Sequence, residues 1–168
     1  MDRIINILKT LDRPGTDQVI RFMRESSYPK ARCYNHHKYP GGLIDHSLEV
    51  YELMMERKGT LPESSIIVCA LFHDLGKASK RGMNIKGGHE EKSIKILESC
   101  GFMLTPEEHH AIINHHKKSK DYLTHPLRHC LSSSDMSSSG KWKIENPNPD
   151  DSVMKRISDN LLYLFSKL

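Results

Sequence analysis

The central part of the chain contains the run Ile66-Ile67-Val68-Cys69-Ala70-Leu71-Phe72, followed directly by His73-Asp74. The run is apolar on every face of a helix, so it is predicted to form a helix buried on all sides. His73 and Asp74 are then buried with it. Because an unpaired buried carboxylate is costly, buried charges are normally paired or bound to a metal. The run therefore predicts a core helix that ends at a metal site.

Around this run, nearly every periodic segment has the helical period of about 3.6 residues, and turn signals separate the segments. The fold class is predicted to be all-α, a helical bundle with a buried metal site. Loops are predicted over Gly82–Gly88 and Ser137–Asp151. Two short helices are predicted near the N-terminus, at 2–11 and 16–27, and a third begins at Gly42. The buried helix is predicted to follow a Thr60/Glu63 capping box and to continue through Leu75. Further helices are predicted from His89 to Gly101, from Thr105 through His115-His116, from Pro126 onwards, and over 152–167.

The length of 168 residues predicts a single domain, with its core at about 34–140. Apolar content of 37% and charged content of 27% are ordinary for a globular protein. No apolar run approaches the roughly 20 residues of a membrane span, and the N-terminus lacks a signal-peptide pattern, so we expect a cytoplasmic protein without membrane contact. The four cysteines, Cys33, Cys69, Cys100 and Cys130, are expected to be reduced thiols.

Five segments place histidine or aspartate where one buried site could collect them: His46, the pair His73-Asp74, His89, the pair His115-His116, and Asp135. Asp135 continues a helical stripe formed by Leu127 and Leu131. His46 is predicted to share an inward face with Val50, Leu53 and Met54. A single histidine is more often a surface or core residue than a ligand, but convergence of several helices on one point favours a metal site.

The same residues resemble a known family, the HD-domain superfamily of metal-dependent phosphohydrolases. The resemblance covers about residues 34–140 and depends on four short motifs: Asn35-His36-His37 with Gly41-Gly42-Leu43-Ile44-Asp45-His46-Ser47, Ala70-Leu71-Phe72-His73-Asp74-Leu75-Gly76-Lys77, Gly88-His89, and Ile113-Asn114-His115-His116. The motifs are similar to the HD domains of bacterial 3'→5' exoribonucleases. The resemblance implies two metals, with His46, His73, Asp74 and Asp135 around the first. Asp74 would then bridge to a second metal bound by His89 and by His115 or His116.

Mixed imidazole and carboxylate ligands suit Fe, Mn, Zn, Co or Ni better than Ca or Mg. One or two such divalent ions are expected, and they would generate hydroxide near neutral pH and clamp phosphoryl oxygens. Lys77, one helical turn after His73, is predicted to neutralise a phosphate oxygen. His37, together with His36, is a weaker candidate for binding phosphate or protonating the leaving oxygen. Asp74 and Lys77 are the main candidate catalytic residues.

Positive charge clusters next to the candidate ligands, in Lys77, Lys80, Arg81 and Lys86 and in Lys117, Lys118 and Lys120, although the net charge is only +4. An anionic substrate would be drawn there. We expect a phosphorylated small molecule or nucleotide, or a short nucleic acid. Processive RNA degradation is not expected, because aromatic content is 7% and the length leaves no room for a separate OB-type domain. The protein is expected to be a monomer or a homodimer.

Two alternatives stay open at this stage. Some HD-fold proteins with the same ligand order are mixed-valence di-iron oxygenases, and sequence does not separate an iron pair that activates dioxygen from a metal pair that hydrolyses a phosphoester. The other alternative is a non-catalytic HD module that binds a nucleotide. The basic residues beside the ligands favour phosphate chemistry over the oxygenase.

Overall fold

The structure is a computed structural model that describes residues 1–117 and 124–140. Within these ranges all regular secondary structure is helical, which confirms the all-α prediction. The helices are α1 Asp2–Leu8, α2 Thr16–Glu25, α3 Gly42–Arg57, α4 Glu63–Phe72, α5 His89–Ser99, α6 Pro106–Asn114 and α7 Pro126–Ser138, with 3-10 turns at Tyr28–Lys30 and Leu75–Lys77. No helix in the described part of the chain is both long enough and apolar enough to cross a membrane.

Helix α4 is the centre of the bundle. All of its residues from Ser65 to Phe72 are buried, as predicted from its apolar run. It packs against α1, α3, α6 and α7, while α3 also packs against α7. Each fully buried large apolar side chain contributes about 1.5–3 kcal/mol of stabilisation. This packing fixes the position of the C-terminal end of α4, where His73 and Asp74 lie.

The predicted limits of α4 were wrong at both ends. The helix begins at Glu63 after Pro62, without a side-chain cap, and Glu63 pairs instead with Lys58 at 3.4 Å. It ends at Phe72 rather than at Leu75. In a continuing helix the N–H of Gly76 would bond to Phe72, but here it donates to Ser93 Oγ of α5 at 2.8 Å, and α5 lies so close that a Cβ on Gly76 would overlap the carbonyl oxygen of His89. The chain therefore turns away in the 3-10 segment instead of continuing the helix.

Helix α6 begins with the predicted N-terminal signal. Thr105 and Glu108 form a reciprocal capping box, with Pro106 at the first position. Glu108 is fully buried and also accepts hydrogen bonds from Arg13 at 2.6 and 3.1 Å and from Ser65 at 2.8 Å. The helix ends at Asn114, so the prediction that it includes His115-His116 was wrong. His115 is the C-cap residue, and its ring packs against that of His73 with the centroids 5.1 Å apart.

The remaining predictions are mostly confirmed where the structure describes them. Helices α1 and α2 form but are shorter than predicted, and the 82–88 segment has no helix. Leu53 is partly exposed rather than inward-facing, and Ser137 and Ser138 belong to α7 rather than to a loop. The four cysteines are free thiols, three of them buried. The predicted loop after Gly140, including Trp142, and the predicted helix 152–167 lie outside the described residues.

Candidate metal centre

Three helices converge on one buried point. His46 lies in the second turn of α3, His73 and Asp74 follow the end of α4, and Asp135 lies near the end of α7. Relative exposures are 0% for both histidines, 1% for Asp74 and 7% for Asp135. The Nε2 atom of His46 is 3.2 Å from His73 Nε2, 3.1 Å from Asp135 Oδ1 and 3.5 Å from Asp74 Oδ2. The structure thus brings together the four side chains that the sequence proposed for a first metal.

The orientation of the imidazoles is set by their outer nitrogens. His73 Nδ1 donates to the carbonyl oxygen of Ala70 at 2.9 Å, and His115 Nδ1 donates to that of Ile112 at 2.7 Å. A carbonyl oxygen only accepts, so the proton on each ring occupies Nδ1. Nε2 is therefore the nitrogen that each ring offers to the centre. Metal-binding histidines normally have this arrangement, in which the second nitrogen is held by a backbone or carboxylate acceptor.

The spacing of the four donor atoms fits a divalent transition metal. Metal bonds of about 2.0–2.2 Å place neighbouring ligand atoms about 3.0–3.5 Å apart in octahedral or tetrahedral geometry. Here the pairs that involve His46 lie at 3.1 to 3.5 Å, and His73 Nε2 lies 3.5 Å from Asp74 Oδ2 and 4.0 Å from Asp135 Oδ1. The imidazole nitrogens of His46 and His73 and a carboxylate oxygen of Asp135 thus lie close enough together to hold one metal ion, and Asp74 Oδ2 lies beside both histidines.

A second group of donors lies on the other side of Asp74. Three buried polar atoms, Asp74 Oδ1, His89 Nε2 and His115 Nε2, have no hydrogen-bond partner among the described residues. Asp74 Oδ1 is 3.3 Å from His89 Nε2, and the Asp74 and His115 ligand atoms lie within 4.8 Å of each other. Buried polar atoms are rarely left unsatisfied, and a bound ion is one accepted explanation. Asp74 thus turns one oxygen to each group.

His115 and His116 have different surroundings. His115 is 1% exposed and turns its unpaired Nε2 inward. The side chain of His116 is 39% exposed, and its Nε2 lies 3.2 Å from Asp135 Oδ2. Its Nδ1 faces Glu90 Oε1 at 3.5 Å, and Glu90 Oε2 also faces His89 Nδ1 at 3.4 Å. Glu90 was not predicted from the sequence, although its position directly after His89 was a usable signal. His115 is the better candidate for the second group.

Burial and charge shape the protonation of the centre. Burial alone would raise the pKa of Asp74, but His73 and Lys77 outweigh it and hold the pKa well below its usual range. Burial likewise opposes protonation of His73, yet Asp74 raises its pKa. For His115, burial and the neighbouring His73 lower the pKa to about 3. At neutral pH, Asp74 is therefore ionised and His115 is neutral, which are the forms that bind metals.

Lys77 is the cation closest to the carboxylates in the described part of the chain. The 3-10 turn at Leu75–Lys77 directs its Nζ onto Asp74 Oδ2. Lys80 behaves differently, because it pairs with Glu25 on α2 at 2.7 Å. Lys118 and Lys120 lie outside the described residues. The predicted basic cluster is thus partly wrong: Lys77 faces the centre, whereas Lys80 is engaged elsewhere.

The turn before α3 places two more histidines beside His46. The ring of His36 lies 4.5 Å from that of His46, and the ring of His37 lies 5.6 Å away. His37 has a left-handed backbone with φ 45°, and its carbonyl oxygen occupies the space that a Cβ on Gly42 would need. Cys33 also belongs to this edge, because its thiol and the ring nitrogens of His36 and His46 lie within 4.8 Å of one another. No feature of the sequence predicted a site role for Cys33.

A comparison with protein-family models matches the HD domain over residues 43–161. This range is more than half of the chain, and it contains His46, His73, Asp74, His89 and Asp135. The chain therefore belongs to the HD-domain family, a superfamily of metal-dependent phosphohydrolases whose members bind divalent metals. Comparisons with curated proteins and with solved structures each found no match.

Proposed function

We propose that the protein hydrolyses a phosphoester bond in a nucleotide or a short oligonucleotide, using one or two divalent transition-metal ions. The observation that supports this most directly is the position of Asp74. Its Oδ2 faces His46 and His73 at 3.5 Å, while its Oδ1 faces His89 at 3.3 Å. A carboxylate shared in this way is suited to bridging two cations.

The proposed ligands form two groups. The first consists of His46, His73, Asp74 and Asp135, and the second consists of Asp74, His89 and His115. When bound, a pair of ions supplies a water of lowered pKa and stabilises the attacking and leaving oxygens of the phosphoryl group. His116 lies at the exposed margin, beside Asp135 Oδ2. The donor set favours Fe, Mn, Zn, Co or Ni.

Lys77 is proposed to bind a non-bridging phosphate oxygen. Its Nζ already lies against Asp74, so a substrate phosphoryl group at the centre is within its reach. Preorganised cations of this kind stabilise the charge that develops in the transition state. His37 is proposed to bind phosphate at the edge of the centre. His36 is less suited to that role, because burial and the nearby His46 lower its pKa to about 4 and keep it neutral.

The test is elemental analysis combined with a substrate panel. Protein loaded separately with Mn²⁺, Zn²⁺, Fe²⁺, Co²⁺ or Ni²⁺ is incubated with mononucleotides, cyclic dinucleotides and short RNA. Release of phosphate or nucleotide is expected, and Asp74→Ala should abolish both metal retention and hydrolysis. Asp45→Ala is the matched control, because Asp45 is an exposed α3 carboxylate that accepts a hydrogen bond from Tyr39 at 2.9 Å.

Metal-loaded protein that releases no product from the whole panel would contradict the proposal. Dioxygen uptake is recorded in the same samples. Consumption of dioxygen by the iron-loaded protein, without phosphate release, would support the oxygenase alternative instead. The contact between Lys77 and Asp74 favours phosphate chemistry, because a cation beside the metal ligands complements an anionic substrate.

A further inference from the structure

A chain of hydrogen bonds links the ligand His46 to a carboxylate outside the centre. Ser138 Oγ lies 2.8 Å from Glu49 Oε2 and 2.9 Å from His46 Nδ1. An ionised carboxylate only accepts hydrogen bonds, so the one hydroxyl proton of Ser138 is donated to Glu49. The Ser138 oxygen must then accept the proton of His46 Nδ1. His46 Nε2 is left with a free electron pair, directed at His73 and Asp135.

A second series of hydrogen bonds also ends at this carboxylate oxygen. His37 Nε2 lies 3.3 Å from Glu49 Oε2, and His37 Nδ1 lies 2.9 Å from His36 Nδ1. If His37 Nε2 donates to the carboxylate, Nδ1 of a neutral His37 is an acceptor and His36 Nδ1 is the donor. His36 Nε2 is then the nitrogen with a free electron pair. The ring of His36 lies beside that of His46, so this pair belongs to the edge of the centre.

We propose that Glu49 is a positioning residue: through Ser138 it fixes which ring nitrogen His46 presents to the metal centre, and through His37 it fixes which nitrogen of the neighbouring His36 keeps a free electron pair. This inference rests on the proposed metal-dependent function, but it concerns residues to which no role was assigned above. Exposed ion pairs usually contribute little to stability, and Glu49 is half-exposed. Glu49 differs from an ordinary exposed partner because both hydrogen-bond chains end at the same oxygen, Oε2.

Loss of an outer partner of a metal ligand typically lowers metal affinity about 10–100-fold. Ser138→Ala should therefore weaken binding of Zn²⁺ or Mn²⁺ by about this factor, measured by competition with a chelator. Ser138→Thr keeps the hydroxyl and should restore most of the affinity. Ser133→Ala is the matched control, because its hydroxyl is on the same helix and donates to the Cys130 carbonyl oxygen at 3.2 Å. Circular dichroism verifies that each variant is folded.

A double-mutant cycle assigns the effect to Glu49. Glu49→Ala should lower the affinity, and Ser138→Ala should add little in the Glu49→Ala background, because both substitutions break the same chain. Histidine ¹⁵N spectra separate the two chains: Ser138→Ala should change the tautomer signals of His46, whereas Glu49→Ala should change those of His46 and His36.

Two results of the metal-binding measurements would overturn the inference, and they differ in what they say about the proposed function. If the wild-type protein binds divalent ions and Ser138→Ala binds them equally well, the positioning role fails while the metal centre stands. If the wild-type protein binds no divalent ion, both fail together. Additive losses in the double-mutant cycle, or tautomer signals unchanged in Glu49→Ala, would also contradict the role of Glu49.

Discussion

Lys77 and Asp74 share an ion pair at the carboxylate oxygen that also faces His46 and His73. Asp74 Oδ2 contacts the Lys77 ammonium and lies 3.5 Å from the Nε2 atom of each histidine. A first metal ion held by His46, His73 and Asp74 would therefore be a neighbour of the ammonium. Lys77 helps to keep Asp74 ionised, and under the proposed function its charge would also meet a phosphoryl group.

Replacement of Lys77 by methionine should separate substrate stabilisation from metal binding. We expect Lys77→Met to lower the hydrolysis rate by about 10²–10³-fold, the usual cost of removing one charge-stabilising donor. Metal affinity should stay the same or rise, since a cation that competes for Asp74 is removed. Chelator competition and product release measure the two effects. Lys80→Met is the control, because Lys80 pairs with Glu25; a rate as high as wild type in Lys77→Met would contradict the assignment.

The two adjacent histidines should differ in metal stoichiometry. His115→Ala removes a buried nitrogen directed at Asp74 and should reduce the number of bound ions from two to one. His116→Ala alters a half-exposed ring and should leave both ions bound. Elemental analysis of the folded variants provides the comparison. Two ions in His115→Ala and one in His116→Ala would reverse the assignment.

Metal affinity should depend on pH through His73. Although burial favours the neutral ring, Asp74 raises the pKa of His73 above its ordinary value of 6.5. Metal binding must remove that proton, so affinity should fall about tenfold per pH unit below the raised pKa and level off above it. His115, with a pKa of about 3, adds no such dependence between about pH 5 and 8. Chelator competition across that interval measures the slope, and a flat profile would exclude His73 as a ligand that must lose a proton.

The pairing of Arg13 with Glu108 should be the main electrostatic contribution to stability outside the centre. Arg13→Ala leaves the fully buried carboxylate without its bidentate partner and should cost about 3 kcal/mol. Arg3→Ala is the control. The Arg3 side chain is more than half exposed and its partner Glu52 is about half exposed, so this pair should contribute about 1 kcal/mol or less. Urea unfolding measures both. Equal losses in the two variants would contradict the importance of burial.

Local sequence patterns predicted most of the described fold. The apolar run of α4, the Thr105 capping signal and the stripe that ends at Asp135 each depend on residues within a few turns of one another. The end of α4 could not be predicted in the same way. It depends on the backbone of α5 approaching Gly76, a contact between segments that are separate in the sequence.

The sequence by itself determined most of the residues that face inward, with Leu53 as an exception, because helical periodicity and the cost of burying charge are local properties of the chain. It therefore identified the histidines and aspartates that meet between α3, α4 and α7. Only the tertiary structure decided how they meet: that Asp74 turns one oxygen to each group, that His115 is buried while His116 is half-exposed, and that Glu49 reaches His46 through Ser138. These relationships depend on distances of a few ångströms between side chains on different helices, and such distances are set by packing rather than by spacing along the chain.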